Sequence, residues 1–155
     1  MIRLQRILVP YDFSTYSEHA LRYGCELAGK FRAELHLLFV VENVGAALAD
    51  PEMAIFPVND FLADQERYAA GKLKSLPGPP WTERLTCVRS VRTGAPFLEI
   101  IRHAREMNLD LIVMGTHGRT GLKHVLLGSV AERVVRKAGC PVLTVRHPEH
   151  DFIAP

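Results

Sequence analysis

The segment from Gly115 to Ser129, GTHGRTGLKHVLLGS, combines four glycines with two cationic side chains directly after a run of aliphatic residues. Glycines allow backbone N–H groups to approach an anion closely, because they carry no side chain. Gly128 and Ser129 stand where a helical pattern begins, and a helix N-terminus presents unpaired N–H donors with about half a unit of positive charge. Arg119 or Lys123 can place a cation beside the anion. The segment therefore predicts a phosphate-binding loop.

Ser129 also has a purely structural interpretation. Together with Glu132 it fits the S-x-x-E pattern of a capping box, in which the serine hydroxyl closes the start of a helix. Glycines that follow a strand often mark only a tight turn. Three glycines in register with the serine favour the phosphate site, but Ser129 alone is compatible with either role.

A second candidate, Asp12, follows the first aliphatic run in the stretch PYDFS. A carboxylate at the end of a strand can contact a bound ligand. It can also form the turn itself, since aspartate side chains accept hydrogen bonds from the backbone two residues onward. Both roles are open for Asp12.

Short aliphatic runs and helical patterns alternate along the chain and must position these two loops. Strands are predicted at Arg6–Pro10, at Ala33–Glu42, within Arg84–Val91, at Asp110–Met114 and at Pro141–Val145. Helices are predicted from Ser14 or Thr15, with Thr15 and Glu18 as a capping box, to near Gly29; from Phe61 to the PGPP stretch at 77–80; from Pro96 to Met107; and from Val130 to Ala138, closed by Gly139. We expect one domain over residues 1–155, with an irregular excursion at 43–59 and a tail at 147–155.

Alternation of strands and helices predicts an α/β fold, a three-layer sandwich whose open five-stranded parallel sheet carries helices on both faces. The strand order 3-2-1-4-5 makes the first and fourth strands neighbours at the point where the winding reverses. Ligands of such sheets bind outside the carboxyl ends of the strands at this point. Asp12 and the glycine-rich loop would then share one crevice.

The spacing Gly115-x2-Gly118-x9-Gly128-Ser129 resembles the nucleotide-binding pattern of the universal stress protein family, in its ATP-binding branch. Further resemblance lies in ILVPYDFS, TGAPFLEII, DLIVMGTHGR and GSVAERVVRKAGCPVLTVR, so that it covers nearly the whole chain and is weakest at 43–84. The implied fold is adenine nucleotide alpha hydrolase-like. The implied function is that of an ATP-binding stress-response or regulatory protein.

The resemblance also assigns roles to individual residues. Asp12 would lie near the ribose and the phosphates, which a Mg or Mn ion would bridge, and the backbone near Val40 and Val41 would hold the adenine. The full set of nucleotide-binding residues implied is Pro10, Tyr11, Asp12, Val40, Val41, Met114, Gly115, His117, Gly118, Arg119, Gly128, Ser129 and Val130. Family members commonly form dimers through the last strand, which implies a homodimer through 141–145, and protein partners that the sequence does not identify.

Composition excludes several other classes of protein. The net charge of +2 does not indicate a nucleic-acid surface, and no run of about 18 apolar residues predicts a membrane span. Three widely spaced cysteines are typical of free thiols in a reducing compartment, so we expect a cytoplasmic protein. No two histidines form a metal set with a third ligand, and His36 and His103 are predicted to be structural.

Binding is favoured over catalysis. The chain contains no P-loop pattern, no G-x-G-x-x-G, and no HIGH or SGGxDS signature near the first strand. We expect at most slow ATP hydrolysis, because no general base is identified for attack on a γ-phosphate. Two alternatives remain: a dimeric interaction protein of this fold that binds no nucleotide, and a slow ATP hydrolase.

Overall fold

The computed structural model describes residues 1–43, 58–118 and 127–146. Its elements follow the predicted alternation of strands and helices, with one additional helical turn. In chain order they are β1 (Arg6–Pro10), α1 (Thr15–Phe31), β2 (Glu34–Glu42), α2 (Val58–Leu73), α3 (Trp81–Arg84), β3 (Cys87–Gly94), α4 (Pro96–Glu106), β4 (Leu111–Gly115), α5 (Ser129–Lys137) and β5 (Val142–Val145). Most of the predicted excursion at 43–59 and the tail at 147–155 lie outside the described residues.

The five strands form a single parallel sheet in the order β3-β2-β1-β4-β5, which confirms the predicted fold class and strand order. β1 lies at the centre, paired with β2 on one side and β4 on the other. The carboxyl ends of β1 and β4 are therefore adjacent. This places the loops after Pro10 and after Gly115 at the same end of the sheet, where the strands terminate.

The alternation of side chains along each strand supplies two separate cores. Ile7 and Val9 of β1 pack with α1 and α2 on one face, whereas Leu8 packs with α4 and α5 on the other. Because both faces are covered by helices, the central strands are apolar throughout rather than alternating with polar residues. The three layers of the sandwich follow from this arrangement.

The start of α1 confirms one of its two predicted caps, whereas its end differs from the prediction. Ser14 is the N-cap, and its side chain accepts a hydrogen bond from the Ser17 N–H, so Thr15 is the first helical residue and the predicted Thr15 capping box is wrong. The helix also continues past Gly29 to Phe31. Its left-handed residue is Arg32, with φ 56°, and the next N–H, that of Ala33, donates to the Ala28 carbonyl at 2.9 Å and closes the end of the helix.

The third strand also begins and ends later than predicted, at Cys87 and Gly94 instead of within 84–91. The residues before it, 81–84, form the short helix α3, and Arg84 thus belongs to a helix. Pairing with β2 over its whole length sets the true bounds of β3, from Leu35↔Cys87 to Glu42↔Gly94. Of the helices in the described part of the chain, none is both long enough and apolar enough to cross a bilayer.

Candidate functional site

A cleft of about 900 Å³ opens at the carboxyl ends of the strands. It lies where β1 and β4 end side by side, which is the position predicted for a ligand in this topology. Its volume falls within the range of about 300–1,000 Å³ that is common for small-molecule sites. The lining includes most of the predicted site residues: Pro10, Tyr11, Asp12, Val40, Met114, Gly115, His117, Gly118, Gly128, Ser129 and Val130.

Thr116 joins the two described ends of the glycine-rich segment. Its N–H donates to the Val145 carbonyl at 3.0 Å, and its carbonyl accepts from the Gly128 N–H at 2.7 Å. Thr116 is buried, so both bonds are shielded from water. The end of β4, the end of β5 and the start of α5 are thereby fixed together. This arrangement directs the N-terminus of α5 into the cleft.

The three glycines of the motif each lie close to other atoms of the chain, most tightly at Gly115. A Cβ on Gly115 would lie 2.9 Å from backbone atoms of Tyr16 in α1, and one on Gly128 would lie 3.1 Å from the Thr116 carbonyl oxygen. A Cβ on Gly118 would lie 2.8 Å from Oδ2 of Asp12. None of the three has the left-handed φ that only glycine adopts easily. Gly115 thus packs against α1, Gly118 against the turn after β1, and Gly128 against the residues that follow β4.

Ser129 is not a helix cap. The N-cap of α5 is Gly128, no side-chain cap bond is formed there, and Ser129 is the first residue of the helix, so the capping-box interpretation is wrong. The first intrahelical bond runs from Glu132 N–H to the Gly128 carbonyl. The N–H groups of residues 129–131 precede it and line the cleft. They supply the partial positive charge that favours a bound anion.

Asp12 forms its turn with one carboxylate oxygen. Oδ1 accepts hydrogen bonds from the backbone N–H of Ser14 at 3.0 Å and from the Ser14 hydroxyl at 2.5 Å. The other oxygen, Oδ2, is the atom that approaches Gly118 across the cleft. The turn-forming role of Asp12 is therefore real, and it orients the second oxygen toward the glycine-rich loop.

One wall of the cleft is apolar and comes from the sheet face that carries α4 and α5. Leu38, Val40 and Met114 contribute side chains from the strands. β1 ends at Pro10 opposite Leu38, so the backbone of Val40 lies beyond the end of the neighbouring strand. The Tyr11 N–H donates a hydrogen bond to the Leu38 carbonyl. This shows that the even-numbered residues of β2 direct their backbone groups toward β1. The Val40 backbone is thus turned toward the cleft.

Val41 does not take part in the cleft. Its side chain is buried on the opposite face, among the residues that pack against α1 and α2. Its position is one residue along from Val40, and a strand reverses the direction of side chains and backbone groups at each step. The backbone of Val41 faces β3 instead, in the ladder where it is opposite Thr93. The structure therefore places Val40 at the cleft and Val41 away from it.

The first turn of α4 forms a wall that sequence reasoning did not assign. Ala95, Pro96 and Phe97 lie at the cleft, and the Arg133 guanidinium lies 4.9 Å above the Phe97 ring. The register of β3 with β2 carries this turn to the end of β2, where Glu42 is opposite Gly94. The stretch TGAPFLEII did indicate that a helix begins here, because Pro96 occupies a position suited to the first turn of a helix.

Two aromatic side chains of the predicted set have internal contacts. The Tyr11 ring packs edge-on against Phe13 at 5.2 Å, and burial, followed by Glu18 and Asp12, raises the pKa of the Tyr11 hydroxyl. His117 lies 5.4 Å from the Tyr16 ring and shares a hydrogen bond of 3.0 Å with the Thr116 hydroxyl. Arg119 lies outside the described residues, as do Lys123 and His124.

No group of three or more His, Cys, Asp or Glu side chains is arranged to hold a metal ion within residues 1–43, 58–118 and 127–146. Asp12 is one of three carboxylates that line the cleft, with Glu42 and Glu132, and the three do not form a preformed metal cluster. One or two carboxylates together with phosphate oxygens are a usual environment for Mg²⁺. The residues present fit an ion that is held chiefly by a ligand's phosphates.

Comparison with known proteins gives consistent results. The family model described as "Universal stress protein family" matches residues 3–146. Universal stress protein MJ0531 of Methanocaldococcus jannaschii is 34% identical over 147 residues, which cover 95% of this chain and 85% of that protein. The solved structure of MJ0577 from the same organism has a TM-score of 0.78 and 29% identity, covering 94% of this chain and 98% of that one.

A more distant structure carries a ligand. The universal stress protein from Archaeoglobus fulgidus was solved in complex with dAMP. The alignment with it covers 93% of this chain and 98% of that chain, with a TM-score of 0.58 and 20% identity. At this identity the likeness concerns the fold alone.

Proposed function

Since the chain belongs to the universal stress protein family, we propose that it binds ATP in the cleft at the carboxyl ends of its strands and acts as a nucleotide-dependent regulatory protein in the stress response. The observation that carries this proposal is the uncapped N-terminus of α5, which begins at Ser129 and lines the cleft. The fold is compatible with a nucleotide, as the dAMP complex of the Archaeoglobus fulgidus protein illustrates.

The phosphates would bind at the start of α5. The N–H groups of the first turn and the Ser129 hydroxyl are donors, and no hydrogen bond of that hydroxyl is found among the described residues. Gly118 and Gly128 would keep the loop close to Asp12 and Thr116, which leaves the helix terminus accessible from the cleft. Arg119 remains a proposed phosphate contact on the basis of the family resemblance.

The base would bind against the apolar wall. Val40 presents its backbone to the cleft beyond the end of β1, and Met114 and Pro10 line the adjoining surface. Backbone hydrogen bonds from a strand edge can recognise the edge of an adenine, while aliphatic side chains cover its faces. The α4 turn at Pro96 and Phe97 would close this pocket from the side.

A Mg or Mn ion would be held mainly by the phosphates, with Oδ2 of Asp12 as the protein's contribution. Bound to ATP, such an ion neutralises phosphate charge. This explains how a carboxylate can stand beside a site for an anion. We expect Asp12→Asn to reduce the Mg²⁺ dependence of ATP affinity, as measured by titrations with and without EDTA. Equal Mg²⁺ dependence in the variant would exclude Asp12 from the metal site.

The main test is an equilibrium titration of nucleotide-free protein with ATP, combined with Ser129→Glu. A carboxylate in the first turn stabilises the helix, so the variant should fold, but it would lie beside the phosphates. Two unit charges about 6 Å apart, at an effective dielectric constant of about 20, repel by about 3 kcal/mol, which is more than a hundredfold in Kd. We expect ATP affinity to fall by at least that factor.

The matched control is Thr82→Glu, which adds the same charge at an exposed position in the first turn of α3, away from the cleft. It should bind ATP as the unmodified chain does. Undetectable ATP binding by the unmodified chain at millimolar nucleotide would refute the proposed ligand. Normal binding by Ser129→Glu would instead refute the assignment of the phosphates to α5.

We expect a homodimer through β5 as part of this function. Val142–Val145 forms one edge of the sheet, and Leu143 remains 38% exposed there. An edge strand with unpaired backbone groups favours pairing with another strand. ATP occupancy would bias the loop between β4 and α5, which is tied to the end of β5 through Thr116, and would thereby reach the surface available to partners. Turnover of ATP is expected to be slow.

A further inference from the structure

A second cleft, of about 850 Å³, lies at the opposite end of the sheet, at the amino ends of the strands. Its lining contains four arginines, Arg3, Arg6, Arg32 and Arg84, and one carboxylate, Glu34. The formal charge of this lining is +3, whereas the whole chain carries only +2. Positive charge is therefore concentrated at the beginning of the strands, on the far side of the sheet from the cleft that contains Asp12.

Most of this charge is not neutralised within the described protein. Arg3, Arg32 and Arg84 are exposed, and none of them forms an ion pair with a residue that the structure describes. Oε1 of Glu34 is occupied by a hydrogen bond of 2.7 Å to His36. Glu34 therefore offsets one of the four arginines, and a formal surplus of +3 remains in the lining.

Helix termini explain only part of the cluster. Arg6 donates to the Met107 carbonyl at 3.1 Å, at the end of α4, and Arg32 is the C-cap of α1. Cations at these positions stabilise the negative ends of the two helices. Arg3 has no such role in the described structure, and Arg84 ends a helix of only four residues, whose dipole is small. A surplus of positive charge remains after the helices are accounted for.

Apolar side chains lie between the arginines. Ile2 is 80% exposed and Phe31 is 40% exposed, and both line the cleft together with Leu4 and Leu85. An inorganic anion would leave these side chains in water. A peptide that combines carboxylates with apolar side chains would pair with the guanidinium groups and cover the exposed apolar surface at the same time.

We infer that this cleft, which we call the amino-edge cleft, is a docking site for an acidic, partly apolar peptide segment of a partner protein. The inference does not depend on nucleotide binding. β1 separates the two sites, with Arg6 at the amino-edge cleft and Pro10 at the other. A partner could therefore bind while the opposite cleft is either empty or occupied.

The probe is a fluorescein-labelled twelve-residue peptide of alternating glutamates and leucines with a central phenylalanine, followed by anisotropy with the full chain. We expect saturable binding that weakens as salt is added. Arg3→Glu with Arg84→Glu should weaken it by at least about tenfold, since two exposed charge pairs become repulsive. Both positions are exposed, so the fold should be retained.

The matched control is Arg22→Glu with Arg67→Glu, which changes the net charge equally at two exposed positions outside the amino-edge cleft. It should leave peptide affinity within a factor of about two. No saturable binding of the peptide would overturn the inference, as would equal losses in the two double variants. Equally tight binding of a peptide with serines in place of leucine and phenylalanine, or full competition by inorganic polyphosphate, would show a general polyanion site instead.

Discussion

The buried side chain of His103 is expected to make the stability of the fold depend on pH. It lies in α4, is 3% exposed, and faces the buried His36 of β2 with 6.0 Å between ring centroids. Neither ring nitrogen of His103 has a hydrogen-bond partner among the described residues. Burial, followed by the charge of Arg92 and the proximity of His36, lowers the pKa of His103 to about 4, against a smaller opposite effect of Glu106.

The expected consequence is a loss of stability in acid. In the unfolded chain His103 takes up a proton at its ordinary pKa of 6.5, whereas in the folded protein it stays neutral down to about 4. The unfolded state therefore binds more protons between these values, and the free energy of unfolding falls as the pH decreases from 6.5 to 4. At 1.36 kcal/mol for each pH unit, the total contribution is about 3 kcal/mol, of which about 2 kcal/mol is lost between pH 7 and pH 5.

The assay is urea denaturation at pH 7 and pH 5 for the unmodified chain and for His103→Leu. Leucine is comparable in volume and removes the unpaired nitrogens, so the variant should fold. Its free energy of unfolding should fall by about 2 kcal/mol less than that of the unmodified chain over this interval. The same acid loss in His103→Leu would refute the assignment to His103.

Three further outcomes follow from the contacts described. Gly115→Ala should destabilise the fold by about 1–3 kcal/mol in urea denaturation, because its Cβ would meet the Tyr16 backbone at 2.9 Å; an unchanged midpoint would contradict that packing. Gly118→Ala should lower stability in the unmodified chain but much less in an Asp12→Ala background, since the steric conflict is with Oδ2; equal losses would place the conflict elsewhere. Leu143→Lys should shift sedimentation velocity toward the monomer, and an unchanged distribution would count against a β5 interface.

The sequence predicted the fold because its signals were local and mutually consistent. Most of the predicted strands are short aliphatic runs, and the bounds of β1 at Arg6–Pro10 agree completely, whereas the more polar third strand was placed less accurately. The helix ends were harder to predict. Arg32 adopts a left-handed conformation in place of Gly29 because the tertiary structure, and not the preference of the residue, decides where α1 stops.

Part of the cleft lining depends on strand register, which a local sequence pattern does not encode. Val40 and Val41 are indistinguishable as adjacent valines in an aliphatic run, but only one of two neighbours in a strand can face a given side. The α4 wall around Phe97 depends similarly on the pairing of Glu42 with Gly94, which no local pattern encodes. The sequence therefore predicted residues near a motif, but not the α4 turn that strand pairing brings to the cleft.

The glycine pattern was predicted to bind phosphate, and the structure shows that the same glycines also have a packing role. Glycines were expected to admit a phosphate, and those at 115, 118 and 128 also pack closely against Tyr16, Asp12 and Thr116, respectively. These contacts fix the start of α5 against the ends of β1 and β4, and Ser129 then enters the helix without capping it. Close packing and anion binding are thus connected physically: the contacts that exclude side chains from the loop also hold an uncapped helix N-terminus at the edge of the cleft.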